Sequence, residues 1–292
     1  MKITLTGSLG NISKLLAGLL IRAGHEVTII SSSADKAPAI AAFGASAAIG
    51  SVSDLTFLTR AFSGADVVYT MVPPNFGVAD YRVYIGSIGL IYADAIRAAG
   101  VSRVVNLSSL GAELPGGAGP ISGLYDVEQA LDALDGVAVR HLRAGFFYYN
   151  FFHDVDMIKN MGILGSNYGA DTRLLLVHPA DIADAASEEV LRPFTGKSIR
   201  YVVSDERSTG EIAGILGAAI GKPGLRWVEF SDEQALAGMQ QAGMPVGIAK
   251  NFVEMGAAVR SGIIWNEYDD HKGAATGKRK FEGFAAEFAE KF

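Results

Sequence analysis

Cysteine is absent from all 292 residues, which excludes disulfides, thiolate zinc sites and a cysteine nucleophile together and suits a reducing compartment. Histidine is nearly as scarce. His25, His141, His153, His178 and His271 show no metal-ligand spacing, and His153-Asp-Val-Asp156 contains a single imidazole, so no metal site is expected. No segment reaches the roughly 18 uninterrupted apolar residues that a membrane crossing needs. The chain begins directly in a strand-like run with no basic and apolar leader ahead of it, so a cytoplasmic, unanchored protein is expected. Positive charge is not in excess either: 25 Lys and Arg stand against 31 Asp and Glu, a net charge of −6. Neutralising phosphates takes a concentrated basic face, so no nucleic-acid contact is expected. Lys278-Arg-Lys280, the only basic run, reads as a solvated turn before a last helix.

What is present is a glycine turn in a telling place. Ile3-Thr-Leu-Thr-Gly-Ser-Leu-Gly-Asn-Ile-Ser13 runs from a short apolar strand through a turn into a helix, the arrangement that holds a dinucleotide pyrophosphate on backbone N–H groups and a helix N-terminus. Gly7 suits the tight turn and Gly10 the close approach of phosphate. Ser13 stands where a third glycine would serve helix-to-strand packing. The helix Asn11 to Ala23 and the strand Glu26–Ile30 then complete a βαβ unit within about 30 residues. Further strand-like runs at Ala47–Ile49, Ala65–Thr70, Arg103–Leu107 and Val137–Leu142 alternate with helical patterns at 35–43, 54–62, 80–99 and 124–134, several opened by Asp caps. That alternation predicts an α/β fold with a doubly wound parallel sheet. Beyond residue 145 it loosens into an aromatic stretch, a glycine-interrupted loop from Met161 to Asp171, strands at 198–203 and 225–230, and helices at 209–220, 232–242 and 246–261.

Six segments in order resemble the NmrA-like group of atypical short-chain dehydrogenase/reductase proteins, relatives of NAD(P)H:quinone oxidoreductases. They are Thr6-Gly-Ser-Leu-Gly-Asn-Ile-Ser13, Asp66-Val-Val-Tyr-Thr-Met-Val-Pro-Pro74, Arg103-Val-Val-Asn-Leu-Ser-Ser-Leu-Gly-Ala112, Val127-Glu-Gln-Ala-Leu131, Leu142-Arg-Ala-Gly-Phe-Phe147 and Pro179-Ala-Asp-Ile-Ala183. The resemblance implies a Rossmann core over residues 1–150 and a smaller α+β C-terminal substrate lobe over 151–292, with some later segments returning to the sheet. It also implies a NAD(P) site made by Thr6, Gly7, Ser8, Leu9, Gly10, Asn11, Ile12, Ser32, Lys36, Met71, Val72, Pro73, Ser108, Gly145 and Phe146. After Ile30 come Ser31-Ser-Ser33 with no acid until Asp35, so NADP(H) is favoured over NAD(H). The arginine common at Ser32 in NADP-preferring relatives is missing, and Lys36 is the substitute cation.

The wider superfamily reduces carbonyls with a Tyr and a Lys four residues on, the ammonium lowering the tyrosine pKa. Tyr125 is the candidate acid, yet Gln129 stands at the lysine position. Without that cation a phenol keeps a pKa near 10. Ser109 is the other candidate catalytic residue, and Ser108 and Ser109 read equally as turn caps. Phe147, Tyr148 and Tyr149 are the candidate substrate walls, suited to flat, quinone-like substrates. Pro115-Gly-Gly-Ala-Gly119 reads as a mobile lid. Two functions compete: a reductase of a quinone-like or small conjugated carbonyl that works mainly by positioning, and a NAD(P) redox sensor that signals to a protein partner without turnover. Oligomeric state is left open.

Overall fold

The computed structural model describes residues 1–271 and 277–292. Strands β1 (Lys2–Leu5), β2 (Glu26–Ser31), β3 (Ser46–Ile49), β4 (Val67–Thr70), β5 (Arg103–Ser109) and β6 (Ala138–Ala144) alternate with helices α1 (Ser13–Arg22), α2 (Ala37–Ala42), α3 (Leu55–Phe62), α4 (Tyr81–Ala99) and α5 (Pro120–Asp132). The second half continues as β7 (Phe146–Phe147), α6 (Val155–Met161), β8 (Ile163–Ser166), β9 (Arg173–Val177), α7 (Pro179–Leu191), β10 (Lys197–Val202) and β11 (Asp205–Ser208). It ends with α8 (Thr209–Ala219), β12 (Arg226–Glu229), α9 (Asp232–Gln241), α10 (Val246–Ser261), α11 (Asn266–Asp270) and α12 (Phe281–Ala289).

The main sheet has seven strands in the order β10-β6-β5-β4-β1-β2-β3, all paired in parallel. Helices cover both faces, which is why Val67-Val-Tyr-Thr70 is buried at every position and does not alternate. One face packs Leu16 and Leu20 of α1 and Ile182 and Val190 of α7. The other packs Phe57 and Phe62 of α3, Ile88 and Tyr92 of α4 and Val127 and Leu131 of α5. Asp54 and Asp80 cap their helices by accepting from the amides of Phe57 and Val83, and Gly100 closes α4 in the left-handed region at φ 68°. Strand order reverses direction between β1 and β4, so the helices that follow them diverge to opposite faces. A crevice opens there at the carboxyl ends of the strands.

The smaller lobe is built on β11-β9-β7 and a β12-β8 pair around a core that includes Tyr148, Phe151, Phe281, Phe284 and Phe288. β8 falls inside the stretch that the glycines mark as loop. Gly165 is there for closeness: a Cβ on it would stand 2.5 Å from the Val228 carbonyl oxygen of the paired strand. Two segments beyond residue 150 return to the main sheet, α7 on one face and β10 beside β6 at the edge. The basic run lies just before α12 with Lys278 and Lys280 exposed, and two of its cations are partnered. Arg279 pairs with Asp181 and Asp184, and Lys280 Nζ donates to the Ser204 carbonyl at 2.9 Å. The glycine stretch after β5 is packed down at its far end, with Pro115, Gly116 and Gly117 exposed. Arg82 donates to the Pro115 carbonyl at 2.7 Å, Ala118 is buried, and Gly119 presses on the Asn251 carbonyl of α10, so these residues form no lid over the crevice.

Candidate functional site

The turn between β1 and α1 is shaped by Gly7, Ser8, Gly10 and Ser13 together. Gly7 takes φ 92° and Ser8 takes φ 54°, the one positive φ outside glycine among the described residues. Gly10 N–H donates to the Gly7 carbonyl at 3.1 Å and Ser8 N–H to Ile30 at the end of β2 at 3.1 Å. Ser13, buried at the position of a third glycine, donates its hydroxyl to the Thr6 carbonyl at 2.9 Å. A Cβ on Gly7 would overlap that hydroxyl and stand 3.0 Å from Met71, whereas one on Gly10 would meet only the Gly7 carbonyl oxygen, at 3.0 Å. The space beyond Gly10 belongs to a cavity. No side chain caps the N-terminus of α1, so its end is available to an anion.

That cavity, of about 610 Å³, runs along the crevice. Its middle is the glycine turn with Ser8, Asn11 and Ile12; one end is Ser31, Ser32 and Gly50-Ser-Val-Ser53; the other holds Met71, Pro73-Pro-Asn75, Tyr84, Phe147, Tyr149, Asn150, His153 and Pro179. Among the described residues its wall carries no Asp, Glu, Lys or Arg. Charge on a ligand there would be met by backbone dipoles, hydroxyls and the start of α1. Ser8 donates to the Ser31 hydroxyl at 3.0 Å, tying the turn to the end of β2. Thr6 lies behind the wall, its hydroxyl accepting from Met71 N–H at 2.8 Å and donating to the Met71 carbonyl at 3.1 Å, and so joins the ends of β1 and β4.

The other sequence-derived positions divide by where their side chains go. Gly7, Ser8, Gly10, Asn11, Ile12, Ser32, Met71, Pro73, Phe147 and Tyr149 line the cavity. Leu9 and Val72 pack on the two helical faces, and Lys36 is exposed outside the wall. Gly145 lies where β6 hands over to β7, and a Cβ there would stand 2.5 Å from the Leu175 carbonyl oxygen. Phe146 packs on the small-lobe core. Tyr148 is a core ring: it is fully buried and its hydroxyl donates to the Arg279 carbonyl at 2.8 Å. Burial pushes the pKa of Tyr84 up, and its hydroxyl donates to the Pro73 carbonyl at 3.0 Å.

Ser108 is turned away from the cavity into an ionic core. Its hydroxyl donates to Glu128 Oε1 at 2.5 Å. Arg143 of β6 binds the same carboxylate twice, Nε to Oε1 at 3.1 Å and a terminal nitrogen to Oε2 at 2.7 Å, and also pairs with Glu113 and Glu267. This fork makes Glu128 a structural carboxylate of α5. Tyr125 is half-buried on α5 and outside the cavity wall, and Ser109 donates to the adjacent Leu110 carbonyl at 2.9 Å. Ser51, Ser53, Tyr84, Asn150 and His153 are wall residues that no motif announces, because their placement depends on contacts between distant segments, and Pro179 opens a family-like segment that had no site role assigned to it. The described residues contain no cluster of three or more metal-ligating side chains, and no helix among them is long and apolar enough to cross a membrane.

Residues 7–144 match a family model described as NAD(P)H-binding, a span that contains the turn, the serine end and five of the seven strands, β2 to β6. The match is to an NAD(P)H-binding domain and spans just under half of the chain. No curated protein matches the chain by sequence. Solved structures share the whole fold. The Escherichia coli NADPH-dependent quinone oxidoreductase, complexed with NADPH, superposes with a TM-score of 0.79 at 20% identity, covering 98% of this chain and 99% of its own. The Citrobacter sp. triphenylmethane reductase, complexed with NADP(H), gives 0.81 at 20% identity over 99% and 100%. A Staphylococcus aureus nucleoside-diphosphate-sugar epimerase gives 0.82 at 19% identity over 98% and 100%.

Proposed function

We propose that this protein is an NADPH-dependent oxidoreductase that reduces a quinone-like or other small conjugated carbonyl compound without a Tyr-Lys catalytic pair. The observation that carries the reading is one uncharged cavity that joins the glycine turn to an aromatic end formed by Phe147 and Tyr149. Gly7 to Ile12 would hold the pyrophosphate. Ser31, Ser32, Ser51 and Ser53 would surround the adenosine ribose, where hydroxyls without a carboxylate leave room for a 2′-phosphate. Structures of the same fold in complex with NADPH and NADP(H) support that choice. The bound cofactor would supply a hydride from its nicotinamide. Met71, Pro73 and Phe147 would fix the ring-to-ring stacking, so that orientation provides most of the catalysis. A quinone needs one proton in addition, for which the His153 imidazole and solvent are the candidate donors at that end.

The test is a calorimetric titration with NADPH, NADP⁺, NADH and NAD⁺, followed by stopped-flow mixing of the reduced complex with a quinone panel. Micromolar NADPH binding and rapid oxidation are the expected results. Tight binding with no oxidation by any quinone would assign a sensing role through a protein partner, and absence of binding would refute the cofactor site.

A further inference from the structure

Tyr149, at the aromatic end of the cavity, is bonded to a network that lies behind the wall. The amide of Ala180 donates to His178 Nδ1 at 3.0 Å, so the neutral imidazole carries its proton on Nε2. That nitrogen faces Glu287 Oε1 at 3.3 Å, and Glu287 Oε2 accepts the Tyr149 hydroxyl at 3.2 Å. His178 is anchored further by its own amide, which donates to Ser204 Oγ at 3.0 Å, and by edge-on contact with the Tyr149 ring at 5.6 Å. The Glu287 carboxylate thus receives one proton from each side.

A phenol has a single hydroxyl proton. With that proton directed to Glu287, the Tyr149 oxygen has only lone pairs left to offer the cavity. The carboxylate behind it also opposes tyrosinate: burial and the Glu287 charge both push the Tyr149 pKa up. Tyr149 therefore serves as a hydrogen-bond acceptor. An unsubstituted quinone has only acceptors and would leave that oxygen unpaired on displacing water, the costly side of hydrogen-bond exchange.

Building on the reductase reading, we infer that this end of the site selects conjugated carbonyl substrates that carry a neutral hydrogen-bond donor, an O–H or N–H on the ring or one carbon from it. Tyr149 is the specificity-determining contact, and Glu287 and His178 are positioning residues that set its direction.

The experiment compares 1,4-naphthoquinones bearing hydroxymethyl with their ethyl counterparts, at ring carbon 2 and at ring carbon 6. Such pairs match in size and differ in the donor. Affinity is measured in the NADP⁺-loaded protein, which requires no turnover, and turnover is followed separately with NADPH. In the wild-type protein the hydroxymethyl member of at least one pair should bind about tenfold tighter, the worth of one well-made neutral hydrogen bond. Tyr149→Phe should bring that ratio to about one with little change for the ethyl compounds. Glu287→Ala should release the phenolic proton toward the cavity and lower the ratio at least threefold while strengthening the ethyl compounds, a reversal that simple loosening of α12 would not give. Equal affinities within every wild-type pair, or a ratio that survives Tyr149→Phe, would overturn the inference. Selective binding without NADPH oxidation would instead uphold it and refute the reductase reading.

Discussion

Gly7 and Gly10 resemble one another in sequence, but the structure assigns them different sensitivities, and substitution separates them. Alanine at position 7 would adopt φ 92°, a left-handed backbone that costs a side chain about 1–2 kcal/mol. Its Cβ would also displace the Ser13 hydroxyl from the Thr6 carbonyl, and losing a buried hydrogen bond adds about 1–2 kcal/mol. Gly7→Ala should therefore destabilise the fold by about 3 kcal/mol. Ser13→Ala alone should cost about 1 kcal/mol. The double variant should cost about 1 kcal/mol less than the sum, because the overlapping hydroxyl has gone. Gly10→Val behaves differently: its φ is not in the left-handed region, and beyond the Gly7 carbonyl the new side chain enters the cavity. It should leave the unfolding midpoint close to wild type and weaken NADPH binding about a hundredfold, roughly 2.7 kcal/mol. Denaturant unfolding and calorimetry on the four variants give every quantity. Additivity of Gly7 and Ser13 to within about 0.5 kcal/mol, or unchanged NADPH affinity in folded Gly10→Val, would refute this account of the turn.

Other perturbations probe other parts of the molecule. Ser32→Asp puts a carboxylate at the serine end, so the ratio of NADPH to NADH affinity should fall about tenfold or more; an unchanged ratio would place the 2′-phosphate elsewhere. Tyr125→Phe should keep quinone turnover within about threefold, and a hundredfold loss would make that phenol catalytic after all. Arg143→Met strands the buried Glu128 carboxylate and should cost about 3–5 kcal/mol, against less than about 1 kcal/mol for Arg97→Met, whose partner Asp94 is exposed with it; equal losses in urea unfolding would show the ionic core to be dispensable. Burial pushes the Asp154 carboxyl up to about 7. Its folded form holds a proton that the unfolded chain releases from about pH 4 upward, so this group's contribution to stability falls between those values and then levels off. Asp154→Asn should stabilise the protein at pH 8 and leave it unchanged at pH 3.5, as read from unfolding midpoints; a gain of equal size at both would contradict the assignment.

The sequence made the first half of the molecule legible because its signals are local. Strand β1, the turn at Gly7, the caps at Asp54 and Asp80 and the left-handed Gly100 each depend on residues within a few positions, so six strands and their order could be anticipated. The limits of that reading lie where distance in the chain is large. Gly165 marks a strand, not a loop, because its neighbour is the Val228 carbonyl some sixty positions away. Ser108 sits at a strand end where a ligand would be expected, yet Glu128 on the next helix accepts its hydroxyl. In the aromatic stretch, consecutive rings go to different places: Phe147 and Tyr149 to the cavity, Tyr148 and Phe151 to the core. Only the meeting of that segment with α12 determines which ring goes where.

Strand β10 pairs along its whole length with β6, from Lys197 against Val139 to Val202 against Ala144. During synthesis, the dinucleotide-binding half therefore leaves the ribosome with one side of β6 unpaired, and it stays so for more than fifty residues. Exposed strand edges recruit other chains, so a fragment ending near residue 150 should aggregate, even though it contains the entire glycine turn. The same pairing makes the last strand of the sheet a checkpoint, because the crevice gains its full backing only after β7, α6, β8, β9 and α7 have been made.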